Sequence, residues 1–551
     1  MSVETIASRI RQMAAQQGHA VAIYCPHGHD SAGRVAYTHD TFLQLEQNSN
    51  RYAIALERMG ITRGMRTVLM VTPSADFFAL TIALFKIGAV PVLVDPGMGV
   101  KNLKVCLAEA EPEAFIGMAK AQVARLILGW AKTSLRIIIS TGPRWLWGGY
   151  HLAQAVSYIP MNRPYNIAPC EADETAAILF TSGSTGVPKG VVYHHGNFIA
   201  QIDALQTLYA IQPGDIDLPT FPLFALFAPA LGMTAVIPDM DFTQPGKADP
   251  RRLVAAIEAF GVQSMFGSPA LIRNLAAYGQ AQGITLPTLK RVISAGAPVP
   301  ADVLAQFTPM LTQDCTVYTP YGATEALPVC SISSAEILGE TAAYTAQGHG
   351  VCVGKPVTGI ELRIIAIDDG ELASWNDVPS VEDGNIGEIT VHGAQVTHSY
   401  YQREASTALA KIPDENANIW HRMGDLGYRD EQGRIWFCGR KSHRVTLPEQ
   451  TLYTIPCEAV FNQHDAVFRS ALVGIARDGQ AQAVMCIELQ PCIKPAEHAN
   501  IRRELLELAH SNPVTTSIDT VLFHPSFPVD IRHNAKIFRE KLAPWAVEAL
   551  A

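Results

Sequence analysis

Ile178-Leu-Phe-Thr-Ser-Gly-Ser-Thr-Gly-Val-Pro-Lys-Gly190 is the stretch on which the reading of this chain turns. The apolar run Ala177–Phe180 before it and Gly190–Tyr193 after it each have the length and residue types of a buried strand. Between them Thr181, Ser182, Gly183, Ser184, Thr185 and Gly186 are all small. Glycine permits positive φ, so backbone N–H groups and neighbouring hydroxyls can turn together toward one anion. Lys189 adds a point charge suited to polyphosphate oxygens. This is not a Walker A loop, because Pro188 stands where that pattern has its second glycine. Composition alone would also allow a flexible polar loop; the flanking strands favour a phosphate site.

Outward from this loop, short β-branched runs alternate with helical patterns. Val68–Val71 and Val90–Val94 read as strands around a helix Asp76–Ile87 that stops at Gly88, and the second strand ends at Asp95-Pro96. Ser264–Phe266 and Arg291–Ile293 repeat the theme, with helices Pro250–Phe260 and Pro269–Tyr278. Such alternation predicts a layered α/β fold with largely parallel sheets. After about Val353 the texture changes to short strands, Leu362–Ile367, Gly387–Val391 and Arg434–Phe437, between Asp-Gly and Gly-rich turns, as in a small antiparallel subdomain. From about Lys441 mixed α/β character resumes. The charge cluster Arg440–Arg444 marks the change.

At 551 residues the chain exceeds one core, so two or more domains are expected. A composition of 48% hydrophobic and 17% charged residues is globular. The net charge of -9 argues against a nucleic-acid partner. None of the ten cysteines pairs at CxxC spacing, so neither a zinc site nor a redox motif is signalled, and free buried thiols in a reducing cytoplasm are expected. The N-terminal stretch reads as an amphipathic helix and lacks a signal-peptide core. The longest apolar run, Leu223 to Pro238, holds Pro229 and Gly232 and falls short of a bilayer span.

Four further segments carry nucleotide-binding chemistry in order. Tyr321-Gly-Ala-Thr-Glu325 offers a flat ring for adenine, a hydroxyl at Thr324, and a hard oxygen ligand at Glu325 of the kind Mg²⁺ prefers. Read alone, it could equally be a glycine turn before a helix capped by Thr324. Asp425, in Trp420-His-Arg-Met-Gly-Asp425, can accept ribose hydroxyls, as acidic residues do at other nucleotide sites. Arg440 follows in Cys438-Gly-Arg440. Ser294-Ala-Gly-Ala-Pro298 contributes Gly296, Ala297 and Pro298.

Together these segments and the loop 181–190 resemble the acyl-adenylate-forming superfamily. The resemblance implies a large N-terminal domain of layered α/β subdomains plus a small β subdomain over residues 1–439. A smaller, mobile α+β C-terminal domain would span 440–551. It implies ATP and Mg²⁺ as cofactors, with adenine along Gly296–Pro298 and Tyr321, Gly322 beside it, Thr324 on the α-phosphate, Glu325 on the metal, Asp425 on the ribose, and Arg440 on ribose or phosphate. Val529-Asp-Ile-Arg-His-Asn-Ala-Lys536 resembles the family's lysine loop, whose lysine stabilises developing charge. Here Ala535 replaces the usual glycine.

Two departures bear on the second half-reaction. Relatives that use a thiol carry an acidic hinge residue and then a Gly-rich turn. Here Ser442 stands at the hinge and no glycine occurs between Gly439 and Gly474. Phe221-Pro-Leu-Phe-Ala-Leu-Phe227, Pro238-Asp-Met-Asp241, Met265-Phe-Gly-Ser-Pro269 and Cys438–Arg444 resemble the β-lactone synthetases of bacterial long-chain olefin biosynthesis. That family closes a 2-alkyl-3-hydroxyalkanoic acid to a β-lactone, releasing AMP and pyrophosphate. A fatty acyl-CoA or acyl-AMP ligase is the alternative. Ala225 stands where relatives commonly carry histidine; it leaves room for a two-tailed acid or reflects a repacked core. His194, His195 and His421 are candidate acceptors for the β-hydroxyl proton. The resemblance also implies an assembly with a β-lactone decarboxylase and an NADPH-dependent dehydrogenase.

Overall fold

The structure is a computed structural model and describes residues 3–143, 145, 147–180, 188–477, 479–529 and 537–551. The phosphate-loop residues Thr181–Gly186 and the lysine Lys536 lie outside the described residues.

Seven strands lie side by side in the order Tyr150–His151, Ile137–Ser140, Ala114–Gly117, Arg66–Met70, Val90–Val94, Thr175–Phe180 and Gly190–His194. All neighbours are parallel except the last pair, which is antiparallel and brackets residues 181–189. The helix Ala75–Ile87 shows how local chemistry sets these elements. The Ser74 hydroxyl accepts the Phe77 N–H at its start, and Gly88, at φ +75°, closes its end. Its side chains are apolar nearly all round, and it is buried between layers.

A second, fourteen-stranded sheet has a parallel centre. Thr234–Val236, Ile216–Pro219, Ser264–Phe266, Arg291–Ile293 and Thr316–Ala323 run side by side, with the strands Val21–His29 and Val35–Thr41 beyond one edge. On the other side the sheet continues, antiparallel, through Ala326–Ser333, Val351–Pro356, Ile435–Arg440, Ile419–Arg429, Gly387–Gly393 and Ile360–Ile365. The antiparallel strands expected after Val353 therefore extend the main sheet, with their own apolar cluster around Val391 and Ile435. The first of them in chain order, expected over Leu362–Ile367, runs over Ile360–Ile365, a two-residue offset.

The apolar run from residue 223 resolves into a short helix, Pro222–Ala230, and the strand Thr234–Val236. Among the described residues no helix is long and apolar enough to cross a membrane. The N-terminal helix runs over Ile6–Gln17, with Thr5 and Ser8 forming its capping box. All ten cysteines are free thiols, and eight of them are buried.

Beyond Arg440 the chain builds a smaller unit with its own cores. Val467–Arg477, Gln480–Leu489 and Val521–Phe523 form a three-stranded sheet, covered by the helices Thr454–Phe461, His498–Ser511 and Arg539–Ala549. The two parts meet closely at Gly439. Its φ is +125°, and a Cβ there would lie 2.2 Å from the Thr454 hydroxyl oxygen, so no other residue fits without a shift.

Candidate active site

One cavity of about 2030 Å³ opens at the C-terminal ends of the parallel strands and reaches into the core. That placement is where open α/β sheets bind ligands. Gly296, Ala297, Pro298, Tyr321, Gly322, Thr324, Glu325, Lys189, Asp425 and Arg440 all line it. The described residues expected to hold the nucleotide and its metal are thus brought to one place.

Tyr321–Ala323 ends one antiparallel strand, Thr316–Ala323, and Thr324 and Glu325 make the turn into the next, Ala326–Ser333, so the segment is not the start of a helix. Gly322 is required by packing, since a Cβ would meet the Ala326 carbonyl at 2.8 Å. The Tyr321 hydroxyl donates to Asp425 Oδ2 at 2.6 Å, and Arg440 Nη1 donates to Asp425 Oδ1 at 2.6 Å. Asp425 and Arg440 are direct register partners on adjacent strands, so the sheet itself fixes the pair. Burial, then the Asp425 charge, push the Tyr321 phenol far above its usual value. The Asp425 charge raises Arg440 further, and the buried Arg440 Nε has no hydrogen-bond partner among the described residues. The triad is held rigidly and leaves a donor to offer.

Around Glu325 the structure adds residues that no motif signalled. The Tyr400 hydroxyl donates to Glu325 Oε1 at 2.7 Å. Thr397 donates to the Glu325 carbonyl from both its N–H, at 2.9 Å, and its hydroxyl, at 3.0 Å. Lys411 is buried behind Thr397, donating to the Thr397 hydroxyl at 3.2 Å and also to its carbonyl. Lys189 Nζ sits 4.9 Å from the centre of the Tyr400 ring. Burial draws Lys189 below its ordinary range and takes Lys411 down to about 7, with Glu325 opposing both shifts. These residues sit on irregular backbone and one short strand, which gave sequence reasoning no periodicity to find.

The three candidate histidines are placed otherwise. None of His194, His195 and His421 lines the cavity. His194 packs edge-on to His398 at 5.1 Å, and burial pushes it down to about 4. His195 and His421 are buried and likewise held down by desolvation. Ala225 belongs to the apolar core, whereas Phe221, Phe224 and Phe227 line the cavity. Its small size is therefore a matter of packing behind the wall.

The boundary cluster is tied to the large domain. Lys441 Nζ donates to the Asp368 carbonyl at 2.6 Å and to Glu388 Oε2 at 3.0 Å, and Glu388 also takes the buried Arg422 at 2.6 Å. Arg444 pairs with Asp369 at 2.5 Å.

Polar residues at the strand ends open onto an apolar interior in one cavity, an arrangement suited to holding a nucleotide beside an apolar acid. The model for AMP-binding enzymes matches residues 10–401, and this chain belongs to that family of ATP-dependent, acid-activating enzymes. Within it, the chain is 49% identical over 548 residues to the olefin beta-lactone synthetase of Xanthomonas campestris pv. campestris, covering 98% of this chain and 97% of that one. It is also 49% identical to the olefin beta-lactone synthetase of Stenotrophomonas maltophilia, covering 98% of each. The fold is also that of the amide bond synthetase McbA from Marinactinospora thermotolerans, at a TM-score of 0.80 and 21% identity, over 98% of this chain and 99% of that one.

Proposed function

We propose that this enzyme uses ATP to adenylate a long-chain 2-alkyl-3-hydroxyalkanoic acid and then closes the adenylate to a β-lactone, releasing pyrophosphate and AMP. The observation that carries the reading is the near-full-length similarity to two olefin beta-lactone synthetases.

In this proposal adenine lies against Gly296–Pro298 and Tyr321, and Asp425 and Arg440 take the ribose. Thr324 and Lys189 face phosphate oxygens. The loop 181–186 cradles the outer phosphates and Lys536 neutralises charge between carboxylate and α-phosphate; both assignments rest on sequence. Glu325 suits Mg²⁺, which takes one or two carboxylates together with substrate phosphates. Bound there, the ion would supply Lewis-acid charge to the triphosphate. Tyr400 and Thr397 hold the carboxylate and the backbone of Glu325 in place for it.

Closure needs no second substrate. The β-hydroxyl oxygen bonds to the acyl carbon, the acyl–phosphate bond breaks, and its electron pair leaves on AMP. Enforced proximity is worth roughly 7–11 kcal/mol in favourable intramolecular cases. With the three candidate histidines off the cavity wall, the AMP phosphate is the proton acceptor the reaction itself provides. The glycine-free stretch 441–473 offers no close backbone approach for a pantetheine arm. We place the domain boundary between Gly439 and Arg440. We also place the enzyme in the cytoplasm, consistent with its free thiols, in association with the decarboxylase and NADPH-dependent dehydrogenase that would process the lactone.

The test is incubation with ATP, Mg²⁺ and a 2-alkyl-3-hydroxy acid, with and without coenzyme A. Lactone formed without the thiol supports the reading. Product only with coenzyme A, or equal turnover of acids lacking the hydroxyl to thioesters, rejects it in favour of an acyl-CoA ligase.

A further inference from the structure

We infer that the cavity ends in a tail-end subsite whose floor is formed by Asp217 and Ser264, and that this polar floor sets the length of acyl tail the enzyme accepts. The inference rests on the reading of the ligand as a long-chain acid.

The register of the central sheet places these residues. Asp217 pairs with Ser264, which pairs with Arg291; two residues further along, Pro219 pairs with Phe266, which pairs with Ile293. Residues two apart share a face. Leu218, Met265 and Val292 point the other way, into a separate core. The face toward the helix Pro222–Ala230 therefore carries an apolar row, Pro219–Phe266–Ile293, and below it a polar row, Asp217–Ser264–Arg291. The cavity follows this face. It is lined by Ala295 beside the nucleotide loop, then by Ile293 and Phe266, then by Asp217 and Ser264. From the level of Ala295 to that of Arg291 is four residues, about 13 Å at the rise of a parallel strand. Leu231 and Met233 wall the same deep end, just before Ala235, the other register partner of Asp217.

A carboxyl at the bottom of an apolar channel has a cost that the fold relieves only in part. The direct bonds of Arg291 go to Asp215 and to the Tyr209 carbonyl, so Asp217 keeps the Ser264 hydroxyl and the more distant attraction of the Arg291 charge. Burial accordingly pushes Asp217 up to about 7. A tail methyl can neither donate nor accept a hydrogen bond. A chain long enough to reach the floor strips the carboxyl of solvation without replacing it, and one that stops at Phe266 does not. The apolar row binds the tail; the polar row ends it.

The experiment is ATP–pyrophosphate exchange with acids of graded tail length, on the full chain. Asp217→Ala opens the floor and should move the preference toward longer tails, changing the kcat/KM ratio of acids two carbons apart by about tenfold, the scale of methylene discrimination in apolar pockets. Ser264→Leu fills the same floor from the neighbouring strand and should move the preference toward shorter tails. A folded variant of either kind with the wild-type length profile overturns the inference; should one variant not fold, the other decides. Exchange with long-chain acids but no lactone would sink the proposed function while leaving the length profile as a valid test of the floor.

Discussion

Tyr400 donates its phenolic hydrogen to Glu325 Oε1 at 2.7 Å while Lys189 lies 4.9 Å from the centre of its ring. One side chain thereby orders both the carboxylate and the cation that face the triphosphate in the proposed complex. Tyr400→Phe keeps the ring and removes the donor. A hydrogen bond to a charged group is worth about 1.5–3 kcal/mol. Exchange activity should fall roughly tenfold to a hundredfold, with a raised Mg²⁺ requirement and an unchanged fold by circular dichroism.

Asp425 is buried between Tyr321 and Arg440. Asp425→Ala removes a charged hydrogen-bond partner from Arg440 and Tyr321, a loss worth about 1.5–3 kcal/mol for a bond to a charged group. The expected result is a lower denaturation midpoint together with a raised KM for ATP. Asp425→Asn should recover much of the stability and little of the nucleotide affinity.

Lys411 makes a pH prediction whose sign is fixed. Burial takes its amine down to about 7 from 10.5, so between those values the unfolded chain binds the extra proton. Stability from this group rises with pH there, by up to about 1.4 kcal/mol per unit, and its penalty is complete below pH 7. Comparing wild type with Lys411→Met at pH 7 and pH 9, the difference should shift in favour of wild type at the higher pH. Urea midpoints at the two values check it.

Gly439→Ala inserts a Cβ 2.2 Å from the Thr454 hydroxyl oxygen at a backbone φ of +125°. Strain of this type costs about 1–3 kcal/mol. Activity should drop, and Thr454→Ala should restore only part of it, because the backbone angle remains. Steady-state rates of the single and double variants measure the split.

Much of this molecule was legible because its elements announce themselves chemically. Gly88 marks the end of the helix Ala75–Ile87, and the apolar run Ala177–Phe180 lies within the strand Thr175–Phe180. The five-residue segment from Tyr321 was ambiguous locally, since a glycine and a threonine suit a helix start as well as a hairpin; only pairing with Ala326–Ser333 decides. Tyr400, Thr397 and Lys411 gave no signal, because their importance comes from contacts distant in sequence: 14 positions between Thr397 and Lys411, 72 and 75 from Thr397 and Tyr400 to Glu325, and 211 from Tyr400 to Lys189. Asp217 is hidden in the sequence for a different reason. Inside Ile216-Asp-Leu-Pro219 it reads as a lone polar residue at a strand edge, and only the sheet register reveals what it faces.

Glu388 accepts from Arg422, inside the large domain, and from Lys441, at the start of the small one. If the segment beyond Arg440 were to swivel, what Glu388 surrendered would be the single ammonium, while the guanidinium stayed to neutralise the anion. That buried carboxylate would thus not be left a naked charge, and return would find its seat still formed.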